Sequence, residues 1–278
     1  MSHSLLDLQS IAQPPDDFLR TVGQVFAVFD EQTQDSGNIS YGVLAGNRQF
    51  FVKTAGMPND PRAFLSHEQR VALLRNAVSF SRRIEHESRP GLLNVIESPL
   101  GPMLVYEWVS GELIGVKRSQ RTNPASPFQR FRALPLDELL AALDVVFDFH
   151  RQVAESGWVA IDFYDGSIIY DFAGQALHLI DLDHYYDHAI TNEMGRMFGS
   201  TRFMAPEEFE RGARIDEITN VFTMGRVIAV FLSDGTLEPG PFRGDQPLHE
   251  VMVRACMNER RERFPSMRAF HAAWQAAR

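Results

Sequence analysis

The chain has 278 residues, 44% hydrophobic and 23% charged, with a formal net charge of −9. That is an ordinary globular composition, and its acidic balance argues against a general nucleic-acid binder, which is usually basic. Cys256 is the single cysteine, so no intramolecular disulfide can form, and no CxxC or His/Cys cluster suggests zinc. The N-terminal MSHSLLDLQSIAQPPDDF lacks a basic region followed by an apolar core, so it does not read as a secretory signal. The longest apolar run, 221–232, is too short for a membrane span and contains Arg226. The expectation is a soluble, cytoplasmic protein with no membrane span and no nucleic-acid partner.

In chain order, residues 1–20 read as a leader with a short helix and a Pro-Pro break. TVGQVFAVFDEQ alternates apolar and polar residues, the period of a half-buried strand. DSGNISYGVLAGNRQFFVKTAG then gives a turn, a strand, a tight Ala-Gly-Asn-Arg turn, and a strand ending at Lys53. A helix is expected over roughly 61–85, with Leu65, Ala72 and Leu73 around one face and Glu68 among them. LLNVIES and MLVYEWV, separated by PLGP, read as two further strands. Residues 117–135 are Pro-rich, basic and aperiodic, and read as an exposed connecting loop. Lys117, Arg118, Arg121, Arg130 and Arg132 could meet an acidic partner there, although a solvated linker is the simpler reading.

From Leu136 the chain turns helical and runs into WVAIDFYDGSIIYDFAGQALHLIDLDHY, residues 158–185. This stretch reads as strands VAI and SIIYD on either side of Asp162, a Gly-containing turn, and a third strand, ALHLID. Asp162, Asp165, Asp181 and Asp183 then gather at one end of a small sheet. Burying four carboxylates together is costly unless a cation or a reacting group compensates them. Further on, TNVFTMGRVIAVFL is apolar nearly all round, as expected of a buried helix.

The spacing of these acids resembles the protein-kinase superfamily, whose catalytic loop carries an Asp and, five residues on, an Asn, with DFG after a hairpin. Asp162 stands at the catalytic-base position, Ser167 where the Asn would be, and Asp181-Leu182-Asp183 where DFG would be. Phe50-Phe51-Val52-Lys53 resembles the VAIK strand, whose Lys holds the phosphates and pairs with a helix Glu, here Glu68. Gly37, Tyr41 and Gly42 resemble parts of the phosphate-covering loop, with Ile39 in place of its middle glycine. MLVYEWV is similar to the strand and hinge between kinase lobes. By that resemblance Tyr106 falls at the gatekeeper position, the main chain of Glu107 and Val109 would face the adenine, and Gly111 and Glu112 would lie near the ribose. Ala205-Pro206-Glu207 matches APE, Arg263 falls where an Arg pairs with that Glu, and Asn220 replaces an Asp that braces the catalytic loop.

The resemblance implies an α+β, two-lobed protein kinase-like fold. Residues 21–110 would form a small antiparallel β lobe with one helix, and 111–278 a larger helical lobe. It implies an ATP-dependent phosphotransferase resembling a Ser/Thr protein kinase, moving the γ-phosphate to a hydroxyl of a protein or small-molecule acceptor. Asp162 would orient the hydroxyl and take its proton, Lys53 would hold the phosphates, and Asp181 would bind Mg²⁺ with Ser167 and Asp183 as further ligands. Ala160-Ile161 stand in place of His-Arg before the catalytic Asp, and Tyr164 in place of the following Lys. Two alternatives therefore stay open: a small-molecule kinase of the aminoglycoside-phosphotransferase kind, and a nucleotide-binding pseudokinase.

Overall fold

Residues 4–30 and 36–278 are described by a computed structural model of the chain. The described residues form a mixed α and β fold with an antiparallel five-stranded sheet and eight α-helices. The chain divides into two units, with the boundary between Val109 and Ser110.

The first unit opens with helices α1 (Ser4–Asp7) and α2 (Pro15–Val22). Pro15 at the start of α2, followed by Asp16 and Asp17 in its first turn, suits a helix N-terminus, whose partial positive charge favours acids. Strands β1 (Gln24–Phe29), β2 (Ile39–Ala45), β3 (Arg48–Thr54), β4 (Leu92–Ser98) and β5 (Gly101–Glu107) assemble in the order β1-β2-β3-β5-β4. The strand expected over residues 21–32 is β1; its last two residues, and the Asp35 that opens the next turn, lie outside the described residues. Gly46, with φ of 64°, closes the two-residue turn between β2 and β3, a conformation that L side chains rarely adopt.

Strand alternation gives the sheet two different faces. Tyr41, Val43, Phe50, Val52, Met103 and Val105 pack on one face with Leu5, Phe18 and Leu19. The stretch 1–20, expected as a leader, supplies Leu5, Phe18 and Leu19 as core side chains of this unit. Leu104 and Tyr106 point to the other face, where helix α3 (His67–Arg83) lays Leu74 and Ala77. Ser66 caps α3 and Gln69 reaches back to the Ser66 N–H, so the helix starts later than residue 61. Its buried face is also corrected: Arg70, Leu74, Ala77 and Phe80 are buried, whereas Ala72 is exposed and Leu65 precedes the helix.

In the second unit, strand β6 (Glu112–Leu113) pairs with β7 (Ile168–Asp171), which pairs with β8 (Ala176–Leu179). The stretch 117–135 is not a solvated linker. It carries helix α4 (Pro127–Arg132), capped by Ser126, and buries Phe128 and Phe131. Helix α5 (Leu136–Glu155) leads into the acid-bearing stretch, and the short strands β9 (Ile190–Thr191) and β10 (Arg214–Ile215) pair beyond it. Helix α6 (Glu217–Leu232), capped by Asp216, is buried on nearly every side. It is surrounded by α5, α7 (Gln246–Ala255) and α8 (Met267–Ala277). Phe147, Phe270 and Trp274 interlock edge to face between α5 and α8, an arrangement favoured by the aromatic quadrupole. No helix among the described residues is long and apolar enough to cross a membrane.

Candidate functional site

The approach to Asp162 is fixed through the main chain. Val159 does not belong to a strand, as the VAI pattern suggested. It makes one isolated bridge, exchanging hydrogen bonds with Tyr186 at 2.7 and 3.0 Å. One residue on, Asn220 of α6 grips Ala160: its Oδ1 accepts from the Ala160 N–H at 2.9 Å and its Nδ2 donates to the Ala160 carbonyl at 2.6 Å. A carboxylate at 220 could only accept; the amide satisfies both backbone groups of one buried residue.

The chain then enters Asp162 with φ of 62°, and Asp181 beyond β8 has φ of 58°. Left-handed backbone at a residue other than glycine costs on the order of 1–3 kcal/mol and persists only where the surroundings impose it. Tyr185, a few residues further on, is buried at 1% exposure. Its phenol is held well above the ordinary value, first by burial and then by the negative charges of Asp162 and Asp181. Both carboxylates are therefore within electrostatic reach of one buried ring. His150 of α5 hydrogen-bonds the Val146 carbonyl through Nδ1 at 2.8 Å and the Tyr185 hydroxyl through Nε2 at 2.9 Å. Since a carbonyl only accepts, the Nδ1–H donates to Val146, and Nε2 takes the proton donated by Tyr185.

Ser167 is buried in a single 3-10 turn, Asp165–Ser167, and its carbonyl accepts from the Ile180 N–H at 3.0 Å. That bond sets Ser167 beside the residue that leads into Asp181. Asp181 is exposed and Asp183 is buried. Asp165 is diverted elsewhere: both its oxygens accept from Arg202 Nη2, at 2.7 and 2.6 Å. Burial still pushes its carboxyl above the usual range, with Arg202 and Arg121 opposing. The compensating cation for this acid is thus an arginine of the chain. Gly199, with φ of 119°, comes so close that a Cβ there would lie 3.1 Å from Asp162 Oδ1.

In the first unit, register aligns two rows across the sheet on the face that carries α3. Ser40, Lys53 and Leu104 form one row; Gly42, Phe51 and Tyr106 form the next. Lys53 is buried at 6% exposure. A Cβ on Gly42 would meet Phe26 at 2.7 Å and Trp108 at 3.0 Å, and those two rings pack edge to face with centroids 4.9 Å apart. Gly37, with φ of 83°, precedes β2, whereas Tyr41 and Gly42 lie inside the strand and not in a turn. Tyr41 faces the opposite core, where burial pushes its phenol up to about 12.

Glu68 occupies the exposed first turn of α3, about 200° around the helix from Arg70. The sheet-facing position belongs to Arg70, which donates to the carbonyls of Gly37, Ala55 (2.6 Å) and Met57 (2.8 Å). This buried guanidinium ties the start of β2 to the connection after β3. Glu107 closes β5, with its N–H donated to the Gly91 carbonyl at 3.0 Å, and Val109 is half-buried at the end of the unit.

Sequence reasoning missed Arg70, Arg202, and the His150–Tyr185 pair. Each sits in a segment dominated by other signals, and each acts on a partner distant in sequence. Among the described residues no three His, Cys, Asp or Glu side chains are grouped to hold a metal ion. The acid and hydroxyl oxygens of Asp181 and Ser167 suit Mg²⁺ that keeps phosphate and water as its remaining ligands. No protein-family model matches this chain, and no curated protein matches it.

Proposed function

We propose that the chain is a two-lobed, protein kinase-like phosphotransferase that uses ATP and Mg²⁺ and transfers the γ-phosphate to a hydroxyl. One observation carries this reading: Asp162 and Asp181 both have left-handed backbone beside the same buried Tyr185, and Asn220 grips the chain two residues before Asp162. An acid that must face a reacting hydroxyl and an acid that must face a metal need fixed, separate orientations. Asp162 orients the acceptor hydroxyl and takes its proton; Asp181, with Ser167 beside it and Asp183 nearby in sequence, holds Mg²⁺; Lys53 holds the phosphates. The metal supplies charge neutralisation of the phosphates when bound. The buried Glu207–Arg263 pair and the antiparallel sheet with α3 on one face fit the same reading.

A second reading, a nucleotide-binding module without turnover, is favoured by the aromatic crowding of the Lys53 face. Phe51 stands one row from Lys53, and Phe26 and Trp108 cover Gly42. Measuring the melting temperature with and without ATP and Mg²⁺, alongside release of γ-phosphate, separates the two. ATP should raise the melting temperature by preferential binding to the folded state, and Lys53→Met should shrink that shift. An unchanged melting temperature at millimolar ATP would remove both readings; a shift without turnover on any acceptor would leave the second.

A further inference from the structure

The chain carries a net charge of −9, yet Arg202 and Arg121 both lie beside Asp165, three residues beyond Asp162. Arg202 satisfies both oxygens of Asp165 with the single nitrogen Nη2, so its Nε and Nη1 are buried without hydrogen-bond partners. The guanidinium lies 5.4 Å from the Phe128 ring and 5.0 Å from the Phe203 ring, and the Arg202 carbonyl is held by Arg226 Nε at 2.8 Å. Arg202 is therefore fixed in place. Arg121 Nε is also buried without a partner, and its guanidinium is pushed below its ordinary basicity by burial and then by repulsion from Arg202. Arg118, exposed, adds to that repulsion. Arg196, exposed, reaches the carbonyl of Gly199, the residue that abuts Asp162.

Among the described residues no carboxylate forms an ion pair with Arg118, Arg121 or Arg196. Asp165 alone balances Arg202. Partly desolvated like charges that share one counter-charge are under-compensated, and an incoming anion restores the balance. Guanidinium forks also match carboxylate and phosphate geometry.

We propose that Arg118, Arg121, Arg196 and Arg202 form the acceptor-recognition surface, and that the acceptor is a peptide segment whose hydroxyl is flanked by carboxylates or phosphate. This rests on the reading of Asp162 as the group that orients the acceptor hydroxyl. Asp162 meets the hydroxyl, and the arginines near the loop meet its anionic neighbours. Basic peptides are repelled by the same charges.

Fluorescence anisotropy on the full chain provides the test, using three labelled synthetic peptides: serine flanked by aspartate and glutamate, serine flanked by lysine, and serine flanked by phosphoserine. The acidic and phosphorylated peptides should bind, weaken with added salt, and lose on the order of tenfold in affinity with Arg121→Gln, the loss of one charge-assisted contact. Arg202→Gln leaves Asp165 buried and unpaired, so it is paired with Asp165→Asn, and a thermal melt verifies folding. Equal binding of acidic and basic peptides would overturn the proposal. So would no binding of any peptide, or unchanged affinity in a folded Arg121→Gln. Transfer of phosphate from ATP is read separately. Arginine-dependent binding without transfer keeps the recognition surface and removes the phosphotransferase reading; transfer to acidic and basic peptides alike does the reverse.

Discussion

Arg263 and Glu207 meet through two parallel hydrogen bonds, Nη1 to Oε1 at 2.7 Å and Nη2 to Oε2 at 2.9 Å, with both side chains excluded from solvent. Glu207 also accepts from Thr219 Oγ1 at 2.9 Å and from Arg260 at 2.6 Å. Burial is the largest influence and works to raise the Glu207 pKa, but the hydrogen bonds and charge of Arg263, with a backbone N–H and Thr219, together hold the carboxyl below its ordinary value. Removing one partner of a buried pair leaves the other charge uncompensated, at a cost of about 3–5 kcal/mol. Because Arg260 remains, Arg263→Ala is expected near the lower end of that range. Urea unfolding of the variant measures it; a midpoint equal to that of wild type would contradict the buried pairing.

Glu208, next in sequence, is expected to behave in the opposite sense. Burial raises its carboxyl to about 7, against the hydrogen bond it accepts from the Ala205 N–H at 2.6 Å. A raised acid stabilises the fold below its unfolded value of about 4.5, and that contribution is lost as pH rises through about 7. Glu208→Gln keeps an oxygen to accept from Ala205 and cannot ionise. The variant should match wild type near pH 4.5 and exceed it by roughly 3 kcal/mol at pH 8. Melting curves at the two pH values that move in parallel would contradict the raised value.

Asp162 and Asp181 should separate by what each is asked to do. Asp181→Asn should weaken Mg²⁺-dependent nucleotide binding and abolish turnover. Asp162→Asn should leave nucleotide affinity near wild type and slow the chemical step about 10²–10⁴-fold. Calorimetric titration with ATP and Mg²⁺, beside a turnover assay, distinguishes them. Full turnover in Asp162→Asn would reassign the acceptor-orienting acid.

Arg70 closes the first unit from within. Arg70→Met keeps an apolar stem but leaves the buried carbonyl of Ala55, and the partly buried ones of Gly37 and Met57, without their donor. A loss of at least about 2–3 kcal/mol is expected from such unsatisfied groups. Hydrogen exchange should show the opening concentrated around residues 37 and 55–57. Uniform loss of protection across the sheet would mean that Arg70 acts on global packing instead.

The antiparallel strand pairs were legible because alternation and Gly-containing turns are local signals. So was the buried character of α6, which has no polar face. The sheet-facing side of α3 was not legible: a pattern that counts apolar residues passes over an arginine whose hydrogen bonds go to three backbone carbonyls. For 117–135, proline content and charge outweighed Ser126-Pro127, a cap followed by proline at the first helical position, with Phe128 and Phe131 behind it. At the candidate site, the positions of the acids could be read, but their fates could not. Asp165 finds Arg202 thirty-seven residues away, and Tyr185 finds His150 thirty-five residues away, pairings that exist only once the second unit is folded.

Asn220 holds Ala160 by its backbone N–H and carbonyl, groups that any residue other than proline would offer there. A clamp of this kind is indifferent to which residues it grips. The two positions before Asp162 are thereby released from chemical duty and answer only to the space around them, where both are buried. A lineage could exchange charged or aromatic residues there for small apolar ones, in any order, while the loop kept its path. The constraint has moved to position 220, where a neutral amide reads the N–H and the carbonyl of one residue and a substitution would be felt at once.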